Sequence, residues 1–269
     1  MVLGQITSLQ NTLIKETRKL QQKKYRELEN QYLIEGIRLV EEARKRGRLG
    51  KVFYDHNLGK TPRGLELLKE ISKTGTPLYQ VTPEILASLA DTESPQGIVA
   101  VVNKESNGLW QLKLGDQSMV LIIDGLQDPG NLGTIIRTAW AVGVDGILCL
   151  TGTVDPYNSK TIRATMGGIF QVPVVTDLKW SQVHQWCQEN HFQTVAGDLS
   201  AVKNHYAVTY SPRVAFILGN EGQGLQTVNL SEVHELVRIP LWGEAESLNV
   251  AVAAGILLYE AVRQRAYRL

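Results

Sequence analysis

The second half of this chain alternates short, continuously apolar segments with stretches of helix length. The apolar segments begin with MVLIID and continue as GILCL, VPVV, TVAGD, VAFILGN and VRIPL. Helices are predicted between them at residues 132–142, 159–169 and 181–190, and a last helix from about Leu248 to Arg265. Strands without apolar–polar alternation are typical of parallel sheets that helices cover on both faces. The pattern predicts a mostly parallel, doubly wound α/β sheet for residues 118–269.

The first half of the chain predicts a second, smaller α/β domain at residues 1–105. A polar, helix-favouring stretch from Leu9 to about Glu29 precedes a short strand and an amphipathic helix that ends at Gly47. The strands KVFYD, PLYQV and GIVAVV then alternate with the helices PRGLELLKEISKTG and PEILASLA. A Gly-, Asn- and Lys-rich stretch predicts a linker at residues 106–117.

Composition excludes several classes of protein. With 43% hydrophobic residues in 269, the chain is expected to be globular rather than disordered. No apolar run reaches the roughly 18 residues of a membrane span, and the N-terminal segment lacks the pattern of a signal peptide. A cytoplasmic protein without membrane contact is therefore expected. Cys149 and Cys187 have no metal-ligand spacing, so we predict buried side chains and no metal site.

Positive charge is concentrated near the N-terminus. Residues 1–48 hold 11 of the 28 Lys and Arg but 6 of the 27 Asp and Glu, whereas residues 106–269 are net acidic, with 11 against 14. A basic helix beside an acidic body indicates where a polyanion would bind. A solvated helix face with charge pairs four residues apart is the alternative interpretation.

Ligands of open parallel sheets bind at the carboxyl ends of the strands, and the loop after MVLIID lies at such an end. Its glycines at 125, 130 and 133 do not fit a dinucleotide motif, and it lacks the lysine of a P-loop. Asn131 lies near the start of the following helix and Arg137 nearly two turns further on. The alternative is that Asn131 only caps the helix and Arg137 pairs with a carboxylate.

Two further loops are unusual. After VAFILG, glycines at 219, 222 and 224 permit close backbone approach to a flat ligand, with Glu221 among them as a hydrogen-bond acceptor, although a flexible turn is the alternative. After VRIPL, Pro240 and Gly243 predict an irregular loop with backbone polar groups left for a ligand. Ser247 is predicted to cap a helix whose first turn carries Asn249, and an Ala-rich core helix is the alternative there.

Together, three segments resemble the motifs of the SpoU (TrmH) family of RNA ribose 2′-O-methyltransferases, within the knotted SPOUT superfamily. The segments are NLGTIIRTA, ILGNEGQGL and IPLWGEAESLNVAVAAGILLYEA, in the family's order and separation. This resemblance is close over residues 119–266. Residues 6–43 are similar, more loosely, to the L30e/L7Ae-like substrate-binding domain of rRNA-directed members.

The resemblance implies that the last strands and helix form a deep trefoil knot that holds S-adenosylmethionine. Backbone groups of the second and third motifs would bind it, at Leu218, Gly219, Ile239, Pro240, Leu241, Ser247, Leu248 and Asn249. Arg137 would lie at the ribose 2′-oxygen. Because a guanidinium is a permanent cation, we expect it to orient and polarise the hydroxyl, while the target's phosphate or solvent accepts the proton. Four residues would order the site by hydrogen bonds: Asn131, Glu221, Ser247 and Asn249. Among them, the Glu221 carboxylate would support either Arg137 or its own loop.

The candidate RNA contacts lie in the basic N-terminal region and in the segment after the second strand of the core, and each has a solvated side chain as its alternative. They are Lys15, Arg18, Lys19, Lys23, Arg38, Ser159 and Arg163, with Lys160 a weaker candidate. Trp242 departs from the family pattern, in which a small residue is common at this position. It is interpreted as closing the cofactor pocket or packing on RNA.

These observations predict an S-adenosylmethionine-dependent methyltransferase of RNA ribose 2′-hydroxyls that acts as a homodimer through the knotted domain, including the last helix. The N-terminal domain favours 23S ribosomal RNA as the substrate. A tRNA ribose 2′-O-methyltransferase and a non-catalytic RNA-binding protein remain alternatives. A nicotinamide dehydrogenase does not fit, because the first strand is not followed by the required glycine spacing.

Overall fold

The computed structural model describes residues 2–92, 95–105 and 108–266, without the side chains of residues 2 and 3. The chain divides into two compact units, Met1–Ser106 with Tyr157–Phe170, and Asn107–Pro156 with Gln171–Leu269. The predicted linker begins at residues 106 and 107, and the predicted second domain ends at residues 267–269; both stretches lie outside the described residues.

The first unit is built on a mixed five-stranded sheet. Its strands are β1 (Val2–Ile6), β2 (Gln31–Glu35), β3 (Leu49–Tyr54), β4 (Leu78–Val81) and β5 (Ile98–Asn103), in the order β1-β4-β3-β5-β2. β1, β4 and β3 are parallel, whereas β5 runs antiparallel to both β3 and β2. The sequence interpretation missed β1. The apolar side chains of β5 are fully buried, so both faces of this strand are covered.

Among the described residues, five α-helices from the N-terminal part of the chain belong to this unit. They are α1 (Thr12–Lys19), α2 (Lys23–Glu29), α3 (Ile37–Lys45), α4 (Pro62–Lys73) and α5 (Pro83–Leu89). The polar stretch predicted from Leu9 to Glu29 is thus two helices. The break follows α1 because Leu20 is buried and Arg26 donates from its guanidinium to the carbonyls of Leu20 and Gln21, at 3.0 and 2.7 Å.

A segment from the middle of the chain joins this unit as well. It contains α7 (Ser159–Thr165), and Tyr157 packs its ring on Tyr32 with centroids 4.8 Å apart. The helix predicted to residue 169 ends four residues earlier, because Met166 and Gly167 take positive φ of 53° and 103°. The predicted domain ranges, by contrast, assign this segment to the C-terminal domain.

The second unit contains a seven-stranded sheet in which every pairing is parallel, so the predicted parallel α/β sheet is confirmed. Its strands are β6 (Ser118–Ile123), β7 (Gly146–Leu150), β8 (Val174–Leu178), β9 (Gln193–Gly197), β10 (Lys203–Asn204), β11 (Arg213–Leu218) and β12 (Glu235–Arg238). Their order is β10-β12-β9-β11-β6-β7-β8. All residues of β6 and β7 are buried, as continuously apolar strands require.

Three helices complete this unit, α6 (Pro129–Val142), α8 (Trp180–Glu189) and α9 (Val250–Ala266), and α6 packs against α9. The start of α6 is capped by Asp128, whose carboxylate accepts from the backbone N–H of Asn131 at 2.7 Å. The predicted cap of α9 at Ser247 is wrong. Instead, the Asn249 side-chain oxygen accepts from the backbone N–H groups of Ala251 and Val252, at 2.9 and 3.3 Å.

Candidate active site

One chain of hydrogen bonds joins the three motif loops of the second unit. The Asn249 side-chain amide donates to the Asn131 side-chain oxygen at 2.9 Å, across 118 residues of sequence. The Asn131 amide in turn donates to the Glu221 carboxylate at 3.1 Å, across 90 residues. Because Asp128 already caps α6, the Asn131 side chain is free to act as the middle of this chain. Three of the predicted catalytic residues are therefore in direct contact.

Glu221 also holds the loop that precedes α6. Its carboxylate accepts from the backbone N–H groups of Gln127 and Asp128, at 3.4 and 3.3 Å. Partial burial raises the pKa of the Glu221 carboxyl, but hydrogen bonds from Asn131 and from the backbone of Glu221, Gln127 and Asp128 outweigh it and lower the pKa below its usual value. At neutral pH this side chain is an ionised acceptor and is not suited to donate a proton.

This lowered pKa predicts a pH-dependent contribution of Glu221 to stability. A carboxyl whose pKa is lowered by folding stabilises the protein above its usual pKa, near 4.5, and loses that effect as pH falls through the lowered value. We expect Glu221→Gln to lower the melting temperature at pH 7 and the difference from wild type to shrink below about pH 4. Thermal unfolding of both proteins from pH 7 to pH 3 measures this. A difference that stays constant over this range contradicts the prediction.

Arg137 lies on the exposed side of α6 and does not belong to the hydrogen-bond chain. In the described part of the chain, no side chain or carbonyl binds its guanidinium. Of the two partners predicted for Glu221, the structure shows the loop and not Arg137. The Arg137 guanidinium therefore has all five N–H donors available for an external ligand.

A cavity of about 280 Å³ lies beside the hydrogen-bond chain. Six of the eight predicted cofactor residues line it: Leu218, Gly219, Ile239, Leu241, Ser247 and Leu248. Pro240 instead borders a neighbouring cavity of about 440 Å³, and Asn249 bonds to Asn131. Ser247 is exposed, and its hydroxyl faces no partner among the described residues.

The loop between β12 and α9 leaves its backbone polar groups unused. From residue 240 to residue 248, no backbone N–H or C=O forms a hydrogen bond within the described ranges. The leucine side chains of the cavity give it apolar walls, while this backbone supplies donors and acceptors at its edge. Such a site suits a flat heterocycle with a polar rim.

Sequence reasoning missed one wall of the cavity. Gly197 at the end of β9 lines it with Asp198 and Leu199, which follow directly, and Leu257 contributes from α9. The sequence did indicate this wall, because TVAGD was predicted as a strand. In a parallel sheet its carboxyl end lies at the same edge as the ends of β11 and β12. β9 lies between β11 and β12, so the residues that follow it lie between the two loops already singled out.

Trp242 is the most exposed large apolar side chain of the described residues, at 94%. It borders the 440 Å³ cavity together with Glu246 and Arg238. Trp242 does not line the 280 Å³ cavity, and its two suggested roles, closing the cofactor pocket and packing on RNA, stay predictions.

Most of the predicted RNA-binding cations on the first two helices have internal partners. Lys19 forms an ion pair with Glu16 at 2.8 Å, Lys23 lies 3.4 Å from Glu27, and Arg18 donates to the Ser88 hydroxyl at 3.0 Å. Lys15 is exposed, and no hydrogen-bond or ion-pair partner for its side chain occurs among the described residues. The predicted basic helix is therefore largely a face of charge pairs.

Arg163 and Ser159 lie on α7 and bind carboxylates of the first unit. The Arg163 guanidinium donates to Asp91 at 2.7 Å and to Glu35 at 3.3 Å. The hydrogen bond from Arg163 lowers the pKa of the Asp91 carboxyl. Partial burial raises this pKa, and a hydrogen bond from the Ser159 hydroxyl lowers it further, so the pKa lies below its usual value. These two predicted RNA contacts are thus engaged within the unit. Lys160 is exposed and has a contact of its own.

Arg38 differs from the other candidates, because it borders a cavity of about 1100 Å³ in the first unit. The guanidinium is exposed and has no partner among the described residues. Polar side chains of Asn57 and Gln96 also line this cavity, which we call the Arg38 groove. In this groove, the Gln96 side-chain oxygen accepts from the backbone N–H of Ile37 at the start of α3, at 3.1 Å.

The two cysteines are buried, as predicted, and burial raises the pKa of each thiol to about 12. Such thiols are poor nucleophiles and poor metal ligands at neutral pH. Within the described residues, no cluster of three His, Cys, Asp or Glu side chains is arranged to hold a metal. In the same residues, no helix has the length and apolar character needed to span a membrane.

Comparison with known proteins gives two family matches. Residues 118–259 match the SpoU rRNA Methylase family, and residues 11–100 match the MRM3-like substrate binding domain. The chain is 38% identical over 260 residues to the 23S rRNA (guanosine(2553)-2′-O)-methyltransferase RlmP of Bacillus subtilis, covering 96% of this chain and 98% of that protein.

Two solved structures with bound AdoMet have the same architecture. An rRNA methyltransferase from Sinorhizobium meliloti superposes with a TM-score of 0.86 at 32% identity, covering 96% of this chain and 97% of the other. The SpoU methyltransferase AviRb from Streptomyces viridochromogenes superposes with a TM-score of 0.86 at 27% identity, covering 96% and 99%. Both similarities extend over nearly the whole of each chain.

Proposed function

Because this chain belongs to the SpoU rRNA methylase family, we propose that it transfers a methyl group from S-adenosylmethionine to a ribose 2′-hydroxyl of RNA. The chain of hydrogen bonds from Asn249 through Asn131 to Glu221 is the observation that carries this proposal. Residues of all three motifs lie together beside one cavity, and the helix that carries Asn131 also carries Arg137, which has no partner among the described residues. A non-catalytic RNA-binding protein would not need this arrangement.

The residues around the cavity fit the cofactor. Gly219 and the free backbone groups of residues 240–248 would bind the edges of the adenine ring, and Leu218 and Leu248 would cover its faces. The relatives from S. meliloti and S. viridochromogenes carry AdoMet, as their names state. When bound, the cofactor supplies an activated methyl group on a sulfonium. Polar backbone and apolar side chains together match this ligand, which has no phosphate and needs no metal.

Arg137 acts on the RNA and not on the cofactor. The bound cofactor would supply its methyl group to the ribose 2′-oxygen as the sulfur–methyl bond breaks, and the hydroxyl proton would have to leave. The guanidinium has donors only, so it orients and polarises the 2′-hydroxyl while a phosphate oxygen of the target or solvent accepts the proton. Asn131 and Glu221 fix the start of α6 and thereby the position of Arg137.

Ribosomal RNA, specifically 23S rRNA, is the proposed substrate. The relative from B. subtilis is named for a 23S rRNA guanosine, and its similarity covers both units of this chain. The match of residues 11–100 to a substrate binding domain supports an RNA-binding role for the first unit in addition to the methylase domain. Since the reaction requires ribosomal RNA, the proposal places the protein in the cytoplasm.

The Arg38 groove is the proposed RNA-binding surface of the first unit. We expect Arg38→Ala to weaken RNA binding about five- to tenfold, because it removes a guanidinium that would bind an RNA phosphate. The salt dependence of binding should fall by about one phosphate contact. Lys19→Ala is the matched control, since Lys19 is paired with Glu16. Filter binding of 23S rRNA fragments at several salt concentrations measures both. Equal effects of the two substitutions contradict the assignment.

We further propose that the C-terminal segment is knotted. The chain passes from β11 beyond β9 to form β12, and α9 then returns to pack on α6, which follows β6. Such a return supports a threaded path for residues 219–249. An experimental structure in which that path can be pulled straight without threading would refute the knot.

A homodimer through the second unit is also proposed. α6 and α9 pack together and leave Trp140, Val252 and Tyr259 exposed, at 39%, 52% and 55%. Side chains of this kind favour burial against a second copy. Sedimentation velocity tests the proposal, and a monomer at micromolar concentration contradicts it.

The proposed activity is tested with labelled S-adenosylmethionine and ribosomal RNA from a strain that lacks the corresponding gene. The digested RNA should contain one labelled 2′-O-methyl nucleoside. Label in a base, or label only in tRNA, contradicts the proposal. Calorimetry should show binding of S-adenosylhomocysteine and not of NAD.

A further inference from the structure

Asp124 is fully buried at the end of β6, and its carboxylate binds a distant loop. One oxygen accepts from the backbone N–H groups of Gln226, Thr227 and Val228, at 2.7, 2.8 and 3.3 Å. The other accepts from the Thr227 hydroxyl at 2.7 Å. Four donors from three consecutive residues thus converge on one side chain, about 100 positions earlier in the chain.

The adjacent residue, Gly125, binds the other end of the same loop. Its carbonyl accepts from the Asn220 side-chain amide at 2.9 Å. Gly125 has φ of +72°, a conformation that suits glycine. We call residues 219–228 the wall loop. Both ends of the wall loop are therefore bound to one dipeptide at the end of β6.

The part of the wall loop between these two attachments lines the cofactor cavity. Its cavity-lining members are Gly219, Asn220, Glu221, Gly222, Gly224 and Leu225. Asn220 and Gly224 are bridged by reciprocal backbone hydrogen bonds of 2.8 and 3.0 Å. Asp124 itself does not line the cavity. Its effect on a bound molecule must act through the loop.

We infer that Asp124 is a positioning residue that holds the wall loop in the shape that binds S-adenosylmethionine. Within the described ranges no cation pairs with Asp124, so the four donors of the wall loop are the only hydrogen-bond partners of its carboxylate. A different loop conformation would leave a buried carboxylate without partners, which is strongly unfavourable. The inference rests on the proposed function, because it concerns the same cavity.

Hydrogen exchange of the wild-type protein tests the attachment without a substitution. Gln226 and Thr227 are exposed, so their amides would exchange quickly without a partner. We expect the amides of residues 226–228 to exchange as slowly as those at the ends of β6. Rapid exchange of these amides overturns the inference.

Asp124→Asn tests the effect on the cofactor site. The substitution keeps the shape but removes the negative charge, so the three N–H groups are left with a neutral amide oxygen and the Thr227 hydroxyl faces an NH₂ group in place of an acceptor. We expect S-adenosylhomocysteine to bind at least about tenfold more weakly, while RNA affinity changes less than about twofold. Calorimetry and filter binding measure these, and loss of amide protection should be confined to the wall loop.

Two controls separate positioning from a general loss of stability. Thr227→Val removes only the hydroxyl bond and should weaken S-adenosylhomocysteine binding less than about threefold. Asp145→Asn alters a carboxylate that accepts from the Met119 N–H at 2.8 Å, away from the cavity, and should leave ligand affinity unchanged. Wild-type affinity in Asp124→Asn overturns the inference, as does equal weakening by Asp145→Asn. Failure of the wild type to bind the ligand would instead contradict the proposed function.

Discussion

Replacement of Arg137 by alanine is expected to lower the rate of methyl transfer about 100- to 10,000-fold. The reason is that α6 carries no other cation to orient the ribose hydroxyl, and the guanidinium has no partner among the described residues whose loss would disturb the fold. The measurement is the single-turnover rate with labelled S-adenosylmethionine and saturating 23S rRNA.

Arg137→Lys is expected to recover little of this rate, because an ammonium cannot reproduce the planar set of donors. S-adenosylhomocysteine binding should be unchanged in both variants, since Arg137 does not line the cavity. Lys113→Ala, which removes an exposed cation from the same unit, is the control. A rate within threefold of wild type in Arg137→Ala would remove Arg137 from the mechanism.

Gly219→Ala is expected to weaken cofactor binding about 10- to 100-fold. A methyl group at this position would lie 2.5 Å from the Gly224 carbonyl oxygen and 2.7 Å from the Leu225 amide nitrogen. Both are backbone atoms, so the wall loop must move to relieve the contact, and overpacking of this kind costs about 1–3 kcal/mol. Because the wall loop borders the cavity, this displacement alters the site directly.

Gly222→Ala is the matched control in the same loop. Its added methyl group would meet only the Asn220 side-chain oxygen at 3.8 Å, an ordinary contact. Calorimetric titration of both variants with S-adenosylhomocysteine, together with their melting temperatures, measures the difference. If the two substitutions weaken binding equally, close packing at Gly219 is not what shapes the site.

Much of the site was predictable because its signals are local. The glycine spacing around Glu221 and the Pro240 and Gly243 pair indicated unusual loops at the correct edge of the sheet. Charge pairing was harder to predict. Lys19 and Lys23 looked like an RNA-binding surface, yet each lies one turn from a glutamate with which it pairs.

Helix starts show why neighbouring capping residues are difficult to distinguish. Asp128 and Asn131 are both suited to cap α6, and Ser247 and Asn249 are both suited to cap α9. The structure uses Asp128 and Asn249, and the difference lies in the path by which the chain enters each helix. Asn249 also reaches Asn131 from its position as the cap, a contact that no local pattern reveals.

The parallel α/β sheet and the three motif loops follow from local sequence patterns, because apolar runs, glycines and prolines act through burial and backbone geometry over a few residues. Which side chains meet depends instead on how the elements pack. Strand order brings the ends of β6, β9, β11 and β12 to one edge of the sheet and so joins Asn249, Asn131 and Glu221. The packing of α7 in the first unit gives Arg163 its two carboxylates, whereas no carboxylate of the described residues pairs with Arg137. Contacts across 90 or more residues depend on the packing of the whole sheet, which short-range preferences do not specify.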